Sequence, residues 1–329
     1  MARNLRNCQL RFGFFSPQLL FHVHGNSRFL GTLAYEEIRV SEDQPYNATA
    51  FVLHGLLGSG RNWRTFSRNL ASEISKSSSS AAAWRMVLVD LRNHGNSATV
   101  EGLDPPHTIE NSARDLANLV KSQGWAWPDA VIGHSLGGKV ALDFAHSCAH
   151  GQYGVSAALP KQLWLLDSEP GEVNPDCTNG EVEKVLYTLQ NLPASLPSRR
   201  WVVEHLLELG FSKSLSEWIG SNLKKAGDHF TWSFNLEGAN EMFNSYRSTG
   251  YWSLLENPPK GLEISLVRAE NSDRWSLPKV QRLESLVNDG ERSDVGKFLM
   301  HVLPNSGHWV HVDNPKGLLE IMTPKFSSI

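Results

Sequence analysis

The sequence runs to 329 residues, 40% of them hydrophobic and 20% charged, enough chain to bury a large α/β core and an ordinary balance for a globular enzyme. A formal net charge of −3 gives no reason to expect nucleic acid or an anionic membrane as partner, and no apolar run approaches the roughly 20 residues of a membrane-spanning helix. Cys8, Cys148 and Cys177 follow no metal or redox spacing and suit a reduced setting with unpaired thiols.

Residues 1–32 differ from the rest. They carry Arg3, Arg6, Arg11 and Arg28, and no acidic residue precedes Glu36. An arginine-bearing, acid-free leader reads as an organellar transit peptide, mitochondrial or chloroplast, or else as a disordered segment on a cytoplasmic protein. A secretory signal fits less well, because Arg11 and Gly13 interrupt the apolar run over 9–15.

The remainder, 33–329, reads as one domain. Residues 33–40 alternate as an antiparallel strand does, and 48–53 form an apolar strand ending in His54-Gly55-Leu56-Leu57-Gly58. Over 62–75, Trp63, Phe66, Leu70 and Ile74 recur on one helix face. The serine-rich stretch 77–83 reads as a solvated loop. A strand over 86–90 leads into Asp90-Leu91-Arg92-Asn93-His94-Gly95-Asn96-Ser97. The spacing over 108–124 predicts a helix capped by Thr108 and closed by Gly124. Then come a strand at 130–132, a helix at 136–148 and a buried strand at 163–167. Strands alternating with helices predict a mostly parallel central sheet flanked by helices on both faces. From 171 to about 259 no convincing strand stands out; helices at 182–189, 199–209 and 215–225 and dense aromatics predict a helical cap. The sheet resumes at 262–267, with a helix over 277–288 and a last strand over 298–303, so the cap is an insertion between two late strands.

The chemistry concentrates at strand ends. In Gly133-His134-Ser135-Leu136-Gly137-Gly138 a serine sits between a buried strand and a helix, and small residues two before and two after let the chain turn sharply there. A serine hydroxyl needs a base. Among 13 histidines, His308 follows the last strand in Ser306-Gly307-His308-Trp309, where Gly307 lets the backbone bring the imidazole over the sheet edge. His54 and His134 read as residues that orient turns, and His311 as turned away. An oxyanion needs two N–H donors: Leu136 offers one, and Leu56 in the loop after the early strand the other. The acid that holds the histidine tautomer is Asp167, ending the strand after the nucleophile helix, or Asp273, following the next strand; either could instead cap a turn. Gly58-Ser59-Gly60 lacks the lysine of a phosphate loop. No cofactor and no metal is implied.

Together, His54-Gly55-Leu56-Leu57-Gly58-Ser59, the 90–97 string, Gly133-His134-Ser135-Leu136-Gly137-Gly138-Lys139 and Gly307-His308-Trp309-Val310-His311 resemble the α/β-hydrolase superfamily. Within it they resemble the branch of abhydrolase domain-containing protein 11 and its bacterial esterase relatives. The resemblance spans about 33–319 and implies an α/β-hydrolase fold and a serine esterase or thioesterase with a helical cap, acting on small-molecule esters or thioesters. The branch places an Asp where Asp167 stands, whereas the wider superfamily places its acid where Asp273 stands. Two features depart from the branch: Asp273 after Asn271-Ser272, and Asp167-Ser168-Glu169-Pro170 in place of a more apolar segment. The competing readings are an idle α/β-hydrolase fold that binds a ligand or partner, and a lyase or C–C hydrolase using the same Ser-His pair. A serine at the turn, not a carboxylate, argues against dehalogenase and epoxide hydrolase chemistry.

Overall fold

A computed structural model describes residues 31–40, 45–77, 83–173, 180–288 and 295–328. The leader assigned to 1–32 lies almost wholly outside these residues, as does most of the serine-rich loop.

Four strands, β2 (Ala48–Leu53), β3 (Trp84–Val89), β4 (Ala130–His134) and β5 (Gln162–Leu166), are buried along their whole length. Strands apolar at every position need cover on both faces. Successive side chains alternate, so Ala50, Val52, Met86, Leu88 and Ile132 pack with Phe66, Leu70 and Ile74 of α1 (Arg64–Ser77) and with Met322 and Phe326 of the helix Pro315–Phe326. Phe51, Leu53, Val87, Val89 and Val131 pack on the other side with Leu116 and Leu119 of α2 (Ile109–Gln123) and Val140 and Phe144 of α3 (Leu136–Ala149). The predicted helix over 108–124 has the predicted ends: Thr108 accepts from Asn111 N, and Gly124 closes it at φ 62°.

With β1 (Tyr35–Ile38), β8 (Glu263–Ala269) and β9 (Lys297–Leu303), the described sheet has the order β1-β3-β2-β4-β5-β8-β9. β1 runs antiparallel to β3 and every other pairing is parallel. The order changes direction at β2, so loops leaving the carboxyl ends of the strands diverge there and open a crevice.

The cap between β5 and β8 contains α4 (Glu181–Gln190), α5 (Arg199–Glu208), α6 (Lys213–Ser221), α7 (Leu236–Ser248) and α8 (Trp252–Glu256). The single helix expected over 215–225 needs correction. Residues 215–225 are not one helix: α6 stops at Ser221, and β6 (Leu223–Ala226) pairs antiparallel with β7 (His229–Trp232). Gly227-Asp228 is the two-residue turn, with Gly227 at φ 61°, which glycine reaches without steric cost.

Lys139, on α3, has no exposed surface. Its ammonium donates to the carbonyls of Gly171 (2.6 Å), Tyr246 (2.5 Å) and Thr249 (2.8 Å), so all three of its protons are used. It thereby ties both the first cap residues and the end of α7 to the core, and burial pushes its pKa down to about 7.

Candidate active site

Each predicted site residue lies at the carboxyl end of the sheet. Ser135 joins β4 to α3 with φ 52° and ψ −119°, a conformation that costs energy for any side chain beyond glycine. The tightness of this turn explains its glycines. A Cβ on Gly133 would lie 2.2 Å from Gly137 O, and one on Gly137 would lie 2.6 Å from His54 O. The turn is further fixed by Ser135 N donating to Leu166 O (3.1 Å) and Ser168 Oγ donating to Ser135 O (2.6 Å).

His308 follows β9 and places Nδ1 2.7 Å from Asp167 Oδ2. Asp167 ends β5 with φ 43° and is fully buried. Its carboxylate also accepts from Ala269 N (3.0 Å), Trp275 Nε1 (2.6 Å) and Ser272 Oγ (2.7 Å). Burial alone would raise its pKa, but the His308 contact and the Trp275 and Ser272 donors outweigh that and hold it below the usual carboxylate value. An ionised carboxylate only accepts, so Nδ1 of His308 donates to it. The His308 pKa is lowered, by burial first and the Arg274 cation second, against the opposing pull of Asp167. Asp273 lines the same cavity and acts on His308 as a weaker electrostatic influence than Asp167.

The loop after β2 lies against the serine: a Cβ on Gly55 would be 3.2 Å from Ser135 Cβ. Leu56 and Leu136, the expected oxyanion donors, both line the cavity, and Leu136 N belongs to the first turn of α3. Two buried histidines brace this loop. His94 Nε2 accepts from Leu57 N and its Nδ1 donates to Arg92 O; His54 Nε2 accepts from Leu91 N and its Nδ1 donates to Gly55 O. Burial lowers their pKa values to about 3 and about 4, keeping both neutral in those roles. The 90–97 string is thus the frame of the loop after β2, with Asp90 accepting from Gly60 N and Asn96 N and Arg92 paired twice with Asp115. His134 does more than orient its own turn, since its Nε2 donates to His308 O (2.8 Å). His311 is not turned away: it lines the cavity, stacked on Trp63 at 3.9 Å between ring centres.

The cavity has a volume of about 370 Å³. The core supplies its floor, with Ser135, Leu136, His308 and Leu56, and the cap supplies Val182, Val185, Leu215, Trp218, Phe243 and Tyr246. Sequence reasoning missed Ser272, Arg274 and Trp275, all in the segment after β8; a run of polar residues plus a tryptophan directly after a buried strand was the available signal. Among the described residues no group of three or more His, Cys, Asp or Glu could hold a metal ion, and no helix is long and apolar enough to cross a membrane.

A serine at a strand-to-helix turn, a histidine after the last strand and an aspartate binding that histidine define an arrangement of the α/β-hydrolase type. Residues 50–321 match the model of the alpha/beta hydrolase family, and the chain belongs to that family. It is 22% identical over 278 residues to the sn-1-specific diacylglycerol lipase ABHD11 of Mus musculus, covering 82% of this chain and 78% of that protein. The Danio rerio protein of the same name is 25% identical over 267 residues, covering 80% and 73%. A probable protein phosphatase methylesterase 1 of Caenorhabditis elegans is 25% identical over 295 residues, covering 85% and 71%. Among solved structures, a marine microorganism esterase superposes with a TM-score of 0.69 at 24% identity, covering 90% of this chain and 99% of that one, which supports the fold.

Proposed function

We propose that this α/β-hydrolase cleaves carboxylic esters or thioesters through an acyl-enzyme on Ser135. The observation that carries the reading is the 2.7 Å contact between His308 Nδ1 and Asp167, in one cavity with Ser135. Because Asp167 holds the proton on Nδ1, Nε2 is the nitrogen left free to act as base. His308 takes the Ser135 proton as Oγ adds to the substrate carbonyl, and the N–H groups of Leu136 and Leu56 receive the oxyanion. The imidazolium then protonates the leaving alkoxide or thiolate. Water, deprotonated by His308, hydrolyses the acyl-serine and frees the enzyme. The apolar cap wall suits an acyl chain or other apolar group. Relatives named as a lipase and a methylesterase support ester chemistry. The test is covalent labelling by a fluorophosphonate probe together with hydrolysis of a p-nitrophenyl ester series. Wild type should label and turn over, and Ser135→Ala should do neither. A folded wild-type protein that neither labels nor hydrolyses any member of the series overturns the proposal.

A further inference from the structure

The cavity holds a charge that acyl transfer does not use. Arg274 lies in the Asp273-Arg274 turn after β8, lines the cavity with Ser135 and His308, and directs Nε at His308 Nδ1 from 3.0 Å. That contact is frustrated. Nδ1 gives its proton to the ionised Asp167 at 2.7 Å, so it has no lone pair left for Arg274, and one N–H faces another. The guanidinium is always charged, and its planar fork matches a carboxylate through two parallel hydrogen bonds. Glu181, Asp273 and Asp313 also line the cavity, but the Arg274 fork held at His308 Nδ1 is better satisfied by an arriving carboxylate than by that N–H.

We infer that Arg274 forms a subsite for a substrate carboxylate, so that the preferred substrates are hemiesters: esters or thioesters carrying one free carboxylate a few bonds from the scissile carbonyl. This rests on the acyl-transfer reading of Ser135 and names its substrate class. Asp273 lines the same cavity, and its carboxylate repels a second negative charge, so the subsite favours a carboxylate monoanion over a phosphate dianion. A bound carboxylate also neutralises the cation beside His308 and strengthens the base in the complex, linking substrate charge to turnover.

Ethyl hydrogen glutarate and ethyl pentanoate share an acyl-chain length and differ in the terminal carboxylate. Wild type should favour the hemiester in kcat/KM by about tenfold or more, since a site built around a polar partner discriminates strongly against an analogue lacking it. Arg274→Met should lose that preference, and Arg274→Lys, which keeps the charge without the fork, should retain part of it. A preference that survives Arg274→Met, or a wild type that favours ethyl pentanoate, overturns the subsite. Glutarate binding, followed by tryptophan fluorescence, separates the subsite from the reaction. Saturable binding that weakens about tenfold in folded Arg274→Met supports the subsite even in a protein that fails to label with a fluorophosphonate, in which case only the acyl-transfer reading falls. A protein that labels but binds glutarate equally with and without Arg274 keeps its reaction and loses the subsite.

Discussion

At the scale of single residues, two aspartates could have completed the site and one holds the histidine. Asp167 and Asp273 both follow strand ends, and β5 and β8 are paired neighbours. Residue types and spacing therefore left both within reach of His308. The choice is made by backbone: Asp167 takes φ 43°, and the loop after β8 folds over to give it Ser272 and Trp275. Neither feature is written in a short motif, whereas the Ser135 turn and the position of His308 after the last strand are, because glycine spacing and chain order specify them. Asp167→Asn should lower kcat by about 10³–10⁴-fold by disturbing the imidazole tautomer, and Asp273→Asn by no more than a few-fold. Steady-state kinetics on one p-nitrophenyl ester decides this, and equal losses in the two variants contradict the assignment. The acid limb of kcat/KM follows the same geometry. In the proposed mechanism His308 works as a neutral base; its pKa is lowered from 6.5, by burial and then by Arg274, so activity should persist below pH 6.5 and fall only as pH drops further. Asp167, Asp273, His134 and His311 also act on this imidazole or its neighbours. Because Arg274 depresses the pKa, Arg274→Met should move the limb to higher pH, and a limb that stays put removes Arg274 from the environment of His308.

At the scale of elements, the cap depends on a lysine buried in a core helix. Lys139→Met keeps the bulk of the side chain but leaves the carbonyls of Gly171, Tyr246 and Thr249 without their shared donor. Each buried carbonyl so orphaned costs about 1 kcal/mol or more, and the sum should be on the order of 3 kcal/mol in urea unfolding. Early proteolysis within 180–259 should accompany it. Arg200→Ala, which removes an exposed pair with Glu204 on α5, should leave both readouts nearly unchanged. Unchanged stability in Lys139→Met would mean the cap is held by its apolar contacts alone. The cap is also where the sequence was least legible. Strands buried on both faces and helices with caps such as Thr108 and Gly124 announce themselves over many residues. The hairpin of β6 and β7 has only four residues per strand, too few for alternation to stand out, and Gly227-Asp228 was its one local signal. Lys139 reads in sequence as a charged residue on an apolar helix, and only tertiary structure reveals the three carbonyls that justify burying it.

At the scale of the whole molecule, the site is built around imidazoles that folding keeps uncharged. Burial lowers the pKa of His54 to about 4, His94 to about 3 and His311 to about 4, and carries His134 well below its ordinary value. In an unfolded chain each titrates near 6.5. Between that value and the folded one, the unfolded state binds the extra proton, so stability rises with pH and falls as pH drops. From about pH 7.5 to about pH 5.5 each such histidine costs about 1.4 kcal/mol of unfolding free energy, a large sum against the usual margin of about 5–15 kcal/mol. Asp90, Asp115 and Asp143, whose pKa values burial raises, act in the opposite sense, because the folded state then binds the proton more readily. Their window extends down towards 3.8, whereas the histidine loss begins near 6.5, so the histidines govern the first fall. Urea unfolding at the two pH values should show a lower midpoint at the acid one with an unchanged slope. His94→Gln, which keeps an acceptor for Leu57 N without a titratable ring, should recover about 1.4 kcal/mol of the difference. A midpoint that does not move with pH, or a variant with the wild-type difference, would mean that these rings take up protons in the folded state and that the loop after β2 tolerates a charge beside it.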